Sequence, residues 1–267
     1  MKNFRIETPD DPRIAGFRDI RERDLTGRQG LFVAEGEVVL RVLTSGHSLC
    51  RPRAVLLAEN RLEGLADALT GLPDETPVYV AAQGVLDAIA GFPLHRGILA
   101  LGEKPARTPL AALLNDAGEQ ATVVLACGIG NHDNMGGLFR NAAAFGADAV
   151  LLDDRCCDPF YRKAIRVSVG AVLRTPMATG LEATGTVEDL KAAGFRVLAM
   201  TPSADRTLDR TPAGGRVAIV LGPEGPGLPS ALITRCEPVG IRMSGGFDSL
   251  NVAVAGALAL HHFAREA

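Results

Sequence analysis

Five polar side chains carry most of the chemistry this chain could perform at strand ends: Asn134, Arg140, Glu224, Ser249 and Asn251. They fall in three glycine-bearing stretches, 128–140 (GIGNHDNMGGLFR), 221–228 (LGPEGPGL) and 241–255 (IRMSGGFDSLNVAVA). The set offers amides, a guanidinium, a hydroxyl and one carboxylate. It holds no His, Cys or carboxylate pair at a plausible centre, so metal-assisted hydrolysis and paired-carboxylate acid/base chemistry lose ground. His132 is the nearest imidazole and lies in the first of these loops. A dinucleotide fingerprint G-x-G-x-x-G beginning at Gly128 would need glycine at 133, where Asp133 stands, and no G-K-[ST] follows. Taken singly, each stretch has a bland reading. Arg140 suits a surface helix, Glu224 can bond neighbouring backbone, and 241–255 can be a capped helix entered through Asp248-Ser249.

Such loops need a frame. From about residue 118 the chain alternates apolar strands with helices. The strands are read at 122–127, 149–153, 195–200, 217–221 and 238–243, and the helices at 135–145, 159–168, 186–193, 228–235 and 249–264. Near-continuous Val/Leu/Ile/Ala runs indicate strands covered on both faces of a parallel sheet. In such a sheet ligands bind beyond the carboxyl ends of the strands, which is where the three loops fall. Asp133-Asn134 is a plausible helix cap in the first loop, and Arg140 tilts back toward it.

Upstream, strand and helix signals alternate over 31–101 and mark a smaller α/β unit, closed by the Pro-bearing stretch 104–109 as a candidate linker. Residues 1–30 are polar, with arginines at 13, 18, 21, 23 and 28 among Asp19, Glu22 and Asp24. They read as a solvated helical arm or, alternatively, as a phosphate-contacting surface. A second basic group, Arg155, Arg162, Lys163, Arg166 and Arg174, carries the same two readings.

Hydrophobic residues make up 47% and charged residues 22%, the balance of an ordinary folded protein. The net charge of −3 gives no global attraction to nucleic acid, so any polyanion must meet a local patch. The absence of Trp and the presence of only two Tyr argue against broad aromatic stacking platforms for single-stranded nucleic acid. Five cysteines without C-x-x-C spacing argue against a disulfide framework or zinc site. With a polar N-terminus and no apolar run long enough to span a bilayer, they lead to the expectation of a cytoplasmic protein without membrane or metal partners.

Together the three stretches resemble the SpoU/TrmH family of RNA ribose 2′-O-methyltransferases, within the SPOUT class. Asn134, Gly136 and Arg140 match the family's first motif, and Gly222, Glu224, Gly225, Gly227 and Leu228 its second. Ile241 and Met243, ahead of Ser249-Leu250-Asn251-Val252-Ala253-Val254-Ala255, match the third, and Ser168-Val169-Gly170-Ala171 also fits. Phe32-Val33-Ala34-Glu35-Gly36 and Arg96-Gly97-Ile98 are similar to the small substrate-binding domain, related to a ribosomal protein fold, that precedes many members. In the first loop, Asn131-His132 stands where members commonly carry a proline.

The resemblance implies an α/β fold with two domains, an RNA substrate-binding domain at 1–107 and a methyltransferase domain at 118–267. The latter would hold a parallel sheet tied in a deep trefoil knot, a feature that strand periodicity cannot show. It further implies a homodimer through the C-terminal domain, with S-adenosyl-L-methionine as cofactor and no metal. Met200, Thr201, Gly222, Ile241 and Leu250 would line the cofactor pocket. Arg140, Asn134, Glu224, Ser249 and Asn251 would form the catalytic set, acting on a ribose 2′-hydroxyl in rRNA or tRNA. The competing reading is a noncatalytic RNA-binding or ribosome-assembly factor on the same fold.

Overall fold

The computed structural model describes residues 3–18, 26–27, 29–90 (the side chain of Ala90 aside), 94, 96–245 and 249–264. Asp19, Arg21, Glu22, Arg23, Asp24, Arg28, Gly246 and the expected cap Asp248 lie outside them. The chain forms two compact units, residues 1–105 with 158–174, and residues 106–157 with 175–267. The change of unit at 105–106 falls inside the Pro-bearing stretch 104–109.

The first unit is built on a five-stranded sheet. Its strands are β1 (Asn3–Ile6), β2 (Leu31–Glu35), β3 (Arg51–Ala58), β4 (Val78–Ala81) and β5 (Ile98–Glu103), in the order β1-β4-β3-β5-β2. β4 runs parallel to β1 and β3, whereas β5 is antiparallel to both β3 and β2. Four strands therefore end on one edge, at Ile6, Glu35, Ala58 and Ala81, where β5 begins at Ile98. Where residues 3–18 are described, the helical arm expected over 1–30 gives way to β1 followed by a 3-10 turn Pro12–Phe17. Ile6, Ile14 and Phe17 are buried, and this apolar content draws the segment onto the sheet despite its charge. Residues 158–174 join this unit through Phe160, whose ring lies 5.4 Å from that of Phe32, and through the helix Arg162–Val167 packed on β2.

The second unit is a six-stranded, wholly parallel sheet. It comprises β6 (Ala121–Ala126), β7 (Ala149–Asp153), β8 (Met177–Leu181), β9 (Arg196–Met200), β10 (Arg216–Leu221) and β11 (Glu237–Val239), ordered β11-β9-β10-β6-β7-β8. β6 and β7 are buried along their whole length, in keeping with their continuous apolar sequences. β8 has no counterpart among the expected strands: its sequence, MATGL, breaks its apolar run with Thr179 and Gly180, which an edge position tolerates. β11 stops at Val239 instead of running to 243, leaving 240–245 as loop.

Two helix starts differ from expectation. The helix His132–Ala144 is capped by Asn131, whose side-chain oxygen accepts from the N–H groups of Asp133 (2.7 Å) and Asn134 (3.4 Å). The helix Val252–Phe263 is capped by Asn251, not through Asp248-Ser249. These helices lie close together: a Cβ on Gly137 would stand 2.8 Å from that of Ala253, and one on Gly256 would stand 2.9 Å from Leu138 Cδ2. Small residues of the last helix thus serve packing inside this unit.

Candidate functional site

The site is assembled around one amide. Asn251 Oδ1 accepts from Ala253 N–H at 3.0 Å and Val254 N–H at 3.3 Å, closing the first turn of the last helix. With the oxygen committed to the cap, the amide nitrogen points the other way. It donates to Asn134 Oδ1 at 2.8 Å and to Glu224 Oε1 at 2.7 Å. One side chain thereby ties together the loops after β6, β10 and β11. Asn134 is 8% exposed, so the bond it accepts satisfies a group largely removed from water. A second tie, from Asn141 Nδ2 to the Ala253 carbonyl at 2.8 Å, holds the same two helices together.

Beside this junction lies a cavity of about 690 Å³, at the carboxyl ends of β9, β10 and β11. Its walls include Met200 and Thr201 from the end of β9, Gly222 and Glu224 after β10, Ile241, and Ser249, Leu250 and Asn251 ahead of the last helix. The loop after β10 folds tightly: Gly227 N–H donates to the Pro223 carbonyl at 3.2 Å, and Gly225 and Gly227 take positive φ. A Cβ on Gly222 would stand 2.6 Å from the Leu228 nitrogen and 2.8 Å from the Gly227 carbonyl carbon, so only glycine fits there.

The five residues expected to hold a cofactor, Met200, Thr201, Gly222, Ile241 and Leu250, all line this cavity, as do Glu224, Ser249 and Asn251. Asn134 stands behind Asn251, joined to it by the bond described above. Arg140 is set apart: it is exposed on the helix His132–Ala144 and makes no hydrogen bond or ion pair to any described residue.

The sequence reading missed the supports of the first loop. Asp153 ends β7 with its side chain fully buried and accepts from Gly128 N–H at 2.9 Å and from Arg155 N–H and Nε–H, both at 3.1 Å. Cys156 adds to this, its thiol donating to the Ala126 carbonyl while its sulfur accepts from Ile129 N–H, each at 3.3 Å. The only signal in the sequence was an acidic residue at a strand end. All five cysteines are free, and burial pushes the Cys127 thiol up to about 12 and that of Cys156 up as well. Neither is an activated nucleophile. Among the described residues no group of three or more His, Cys, Asp or Glu could hold a metal ion, and no helix is long and apolar enough to cross a membrane.

A parallel α/β domain with a glycine-walled cavity at its carboxyl edge has known counterparts. Residues 121–261 match the SpoU rRNA Methylase family. A protein of Mycobacterium bovis described as an uncharacterized tRNA/rRNA methyltransferase is 40% identical over 268 residues, covering 96% of this chain and 90% of the relative. Among solved structures, an RNA 2′-O ribose methyltransferase superposes with a TM-score of 0.76 at 27% identity, covering 97% of each chain. The AdoMet-bound rRNA methyltransferase of Sinorhizobium meliloti reaches 0.81 at 22% identity, also over 97% of each, a likeness of fold. Fold, site and relatives define an RNA methyltransferase. The chain belongs to the SpoU rRNA methylase family.

Proposed function

We propose that this protein transfers a methyl group from S-adenosyl-L-methionine to a ribose 2′-hydroxyl of ribosomal or transfer RNA. The observation that carries the reading is the Asn251 amide, which fixes Asn134 and Glu224 at the lip of the cavity. The cavity suits the cofactor: its volume falls within the range of small-molecule sites, and Ile241 and Leu250 offer apolar walls beside the hydrogen-bonding groups of Thr201 and the 222–227 backbone. The solved RNA 2′-O ribose methyltransferase with which this chain superposes supports the acceptor.

The bound cofactor supplies a methyl group on a sulfonium, a good leaving centre, so the protein's tasks are alignment and removal of one proton. Glu224 and Ser249 hold the loops that shape the cavity, and Asn134, fixed by Asn251, orients the ribose. A guanidinium stays protonated at ordinary pH, so Arg140 acts as a clamp on the phosphate beside the target ribose, and that phosphate or a water takes the proton. With no partner among the described residues, Arg140 is suited to this task. The working unit is a cytoplasmic homodimer: Val254 and Leu258, 48% and 43% exposed on the last helix, give a second copy an apolar face to cover. The sheet is tied in a trefoil knot, consistent with the last helix lying against the helix His132–Ala144.

Calorimetry with S-adenosyl-L-methionine and a map of ribose methylation in total RNA, with and without the gene, test this reading. Arg140→Ala should abolish transfer and leave cofactor affinity nearly intact. Substantial activity in that variant would sink the clamp. A protein that binds RNA but no cofactor would instead be the noncatalytic factor.

A further inference from the structure

Asn134 is held from two directions. Its side chain accepts from the Asn251 amide at 2.8 Å, and its own N–H donates to Asn131 Oδ1 at 3.4 Å, so its backbone goes where the first loop goes. Every described residue lining the cavity lies at or beyond Met200 in the chain. The first loop therefore sets the place of Asn134 without walling the cavity.

That loop is shaped in turn by residues 153–157, which follow β7. Gly128 N–H donates to Asp153 Oδ1 at 2.9 Å, and Cys157 N–H donates to the Ile129 carbonyl at 2.9 Å. Ile129 N–H donates to the Cys156 sulfur and the Cys156 thiol to the Ala126 carbonyl, each at 3.3 Å. Both backbone groups of Ile129 are thus taken up by one turn, and its side chain is buried. Gly128 has φ +65°, and glycine adopts either sign of φ readily, so the bonds from 153–157 select the one conformation.

Asp153 anchors the turn. Its side chain is fully buried, which is costly for a carboxylate unless opposite charge and hydrogen bonds compensate it. Arg155 does so with its N–H and Nε at 3.1 Å and its Nη2 at 3.0 Å. Asparagine could accept from Gly128 or from the guanidinium, but its amide nitrogen would face donors on the other side. Only a carboxylate serves Gly128 and Arg155 together.

We propose that Asp153 is a positioning residue for methyl transfer: through the turn 153–157 it sets the first loop, and so places Asn134 against the acceptor ribose. The proposal rests on the methyltransferase reading and divides that site into two halves. The cofactor half is built from the loops after β9, β10 and β11, and the acceptor half depends on Asp153.

The test compares full-length wild type with D153N in single-turnover transfer of a tritiated methyl group to RNA from cells lacking the gene. Cofactor affinity, melting temperature and amide deuterium uptake are read on the same samples. D153N should slow transfer by about tenfold or more, because small misplacements of reacting groups are expensive. Cofactor affinity should change by less than about twofold, since that half of the site keeps its walls. Deuterium uptake should rise in peptides spanning 128–135 and stay unchanged over 221–228, a readout that needs no activity. V187A, which opens the core of the same unit at a fully buried residue, controls for stability and should transfer at near the wild-type rate. C156A is the milder companion should D153N not fold, with an expected loss of about threefold. Unchanged transfer in the folded variant overturns the proposal. So does a V187A loss equal to that of D153N, or a D153N loss that tracks lost cofactor affinity. Wild-type protein that neither binds cofactor nor transfers methyl removes the function reading, whereas unchanged deuterium uptake at 128–135 removes Asp153 from the loop whatever the reaction.

Discussion

Replacing Asn251 with aspartate isolates the bridge from the cap. Aspartate caps a helix as well as asparagine does, so N251D should keep the two bonds to Ala253 and Val254 N–H. What it loses is the donor. An oxygen now faces Asn134 Oδ1 and Glu224 Oε1 across the 2.8 and 2.7 Å that the amide hydrogens had bridged. A neighbouring carboxylate raises the folded-state pKa of the new group above its unfolded value of about 3.9. A rise on the order of two units corresponds to about 2.7 kcal/mol, and exposure of Glu224 to solvent trims this toward 1–2 kcal/mol. The sign follows from the raised pKa: the protonated group can donate, so the variant approaches wild-type stability below about pH 4 and loses it as pH rises through the folded pKa. The wild-type amide does not titrate, so the difference between the two pH curves reports this group. N251S is the control, keeping a cap and losing the donor without adding charge, for a pH-independent loss of about 1–3 kcal/mol from the orphaned Asn134 oxygen. Urea unfolding from pH 4.5 to 8 decides the matter. A flat N251D difference curve would refute the bridge.

Three further outcomes follow from other parts of the molecule. Gly222→Ala puts a Cβ against the backbone of Gly227 and Leu228 and should cost about 1–3 kcal/mol together with most cofactor affinity; unfolding and calorimetry with both values unchanged would remove the cavity wall from where the geometry has it. Burial pushes the Cys50 and Cys127 thiols up to about 12, while unfolded thiols ionise near 8.5, so the unfolded chain sheds these protons first. Each thiol then lowers stability by about 1.4 kcal/mol per pH unit as pH rises above about 8.5, with the full contribution present below it, and C127A should flatten the alkaline slope of urea midpoints. Val169 is the one described non-glycine residue with positive φ, at 49°, a strained conformation for a β-branched side chain. Val169→Asn should raise stability by about 1 kcal/mol, because asparagine tolerates that region, and a lower melting temperature would count against the strain.

The apolar strands of both sheets were legible because their residues repeat the environment they enter. β6, β7, β9 and β10 read as buried parallel strands and are so. β1 and β8 were not legible: Asn3–Ile6 offers one strongly buried residue, and Met177–Leu181 is an edge strand with weak patterning. The membership of residues 158–174 in the first unit was equally hidden, since it depends on Phe160 finding Phe32 far earlier in the chain. Two of the three glycine-bearing loops, 221–228 and 241–255, line the cavity and were legible because glycines and prolines announce tight turns locally, whereas 128–140 meets it only through Asn134 behind Asn251. The organisation of the site was not legible. Asn251 lies 117 residues from Asn134 and 27 from Glu224, and no local rule selects those partners.

Helix capping shows why. Asp248, Ser249 and Asn251 are three good N-cap types within four positions, and intrinsic preference scarcely separates Asp, Ser and Asn. The helix alone could begin after any of them. Only asparagine combines the acceptor that a cap requires with donors left over. Two acceptors wait for those donors, the largely buried Asn134 oxygen and the Glu224 carboxylate, and leaving the former unpaired would cost about 1–3 kcal/mol. The start of the helix is therefore decided from outside it, and the decision leaves Ser249 and Leu250 outside the helix, along the cavity wall. Identity at position 251 reflects what the facing loops need, which is the physical content of an asparagine in the family's third motif.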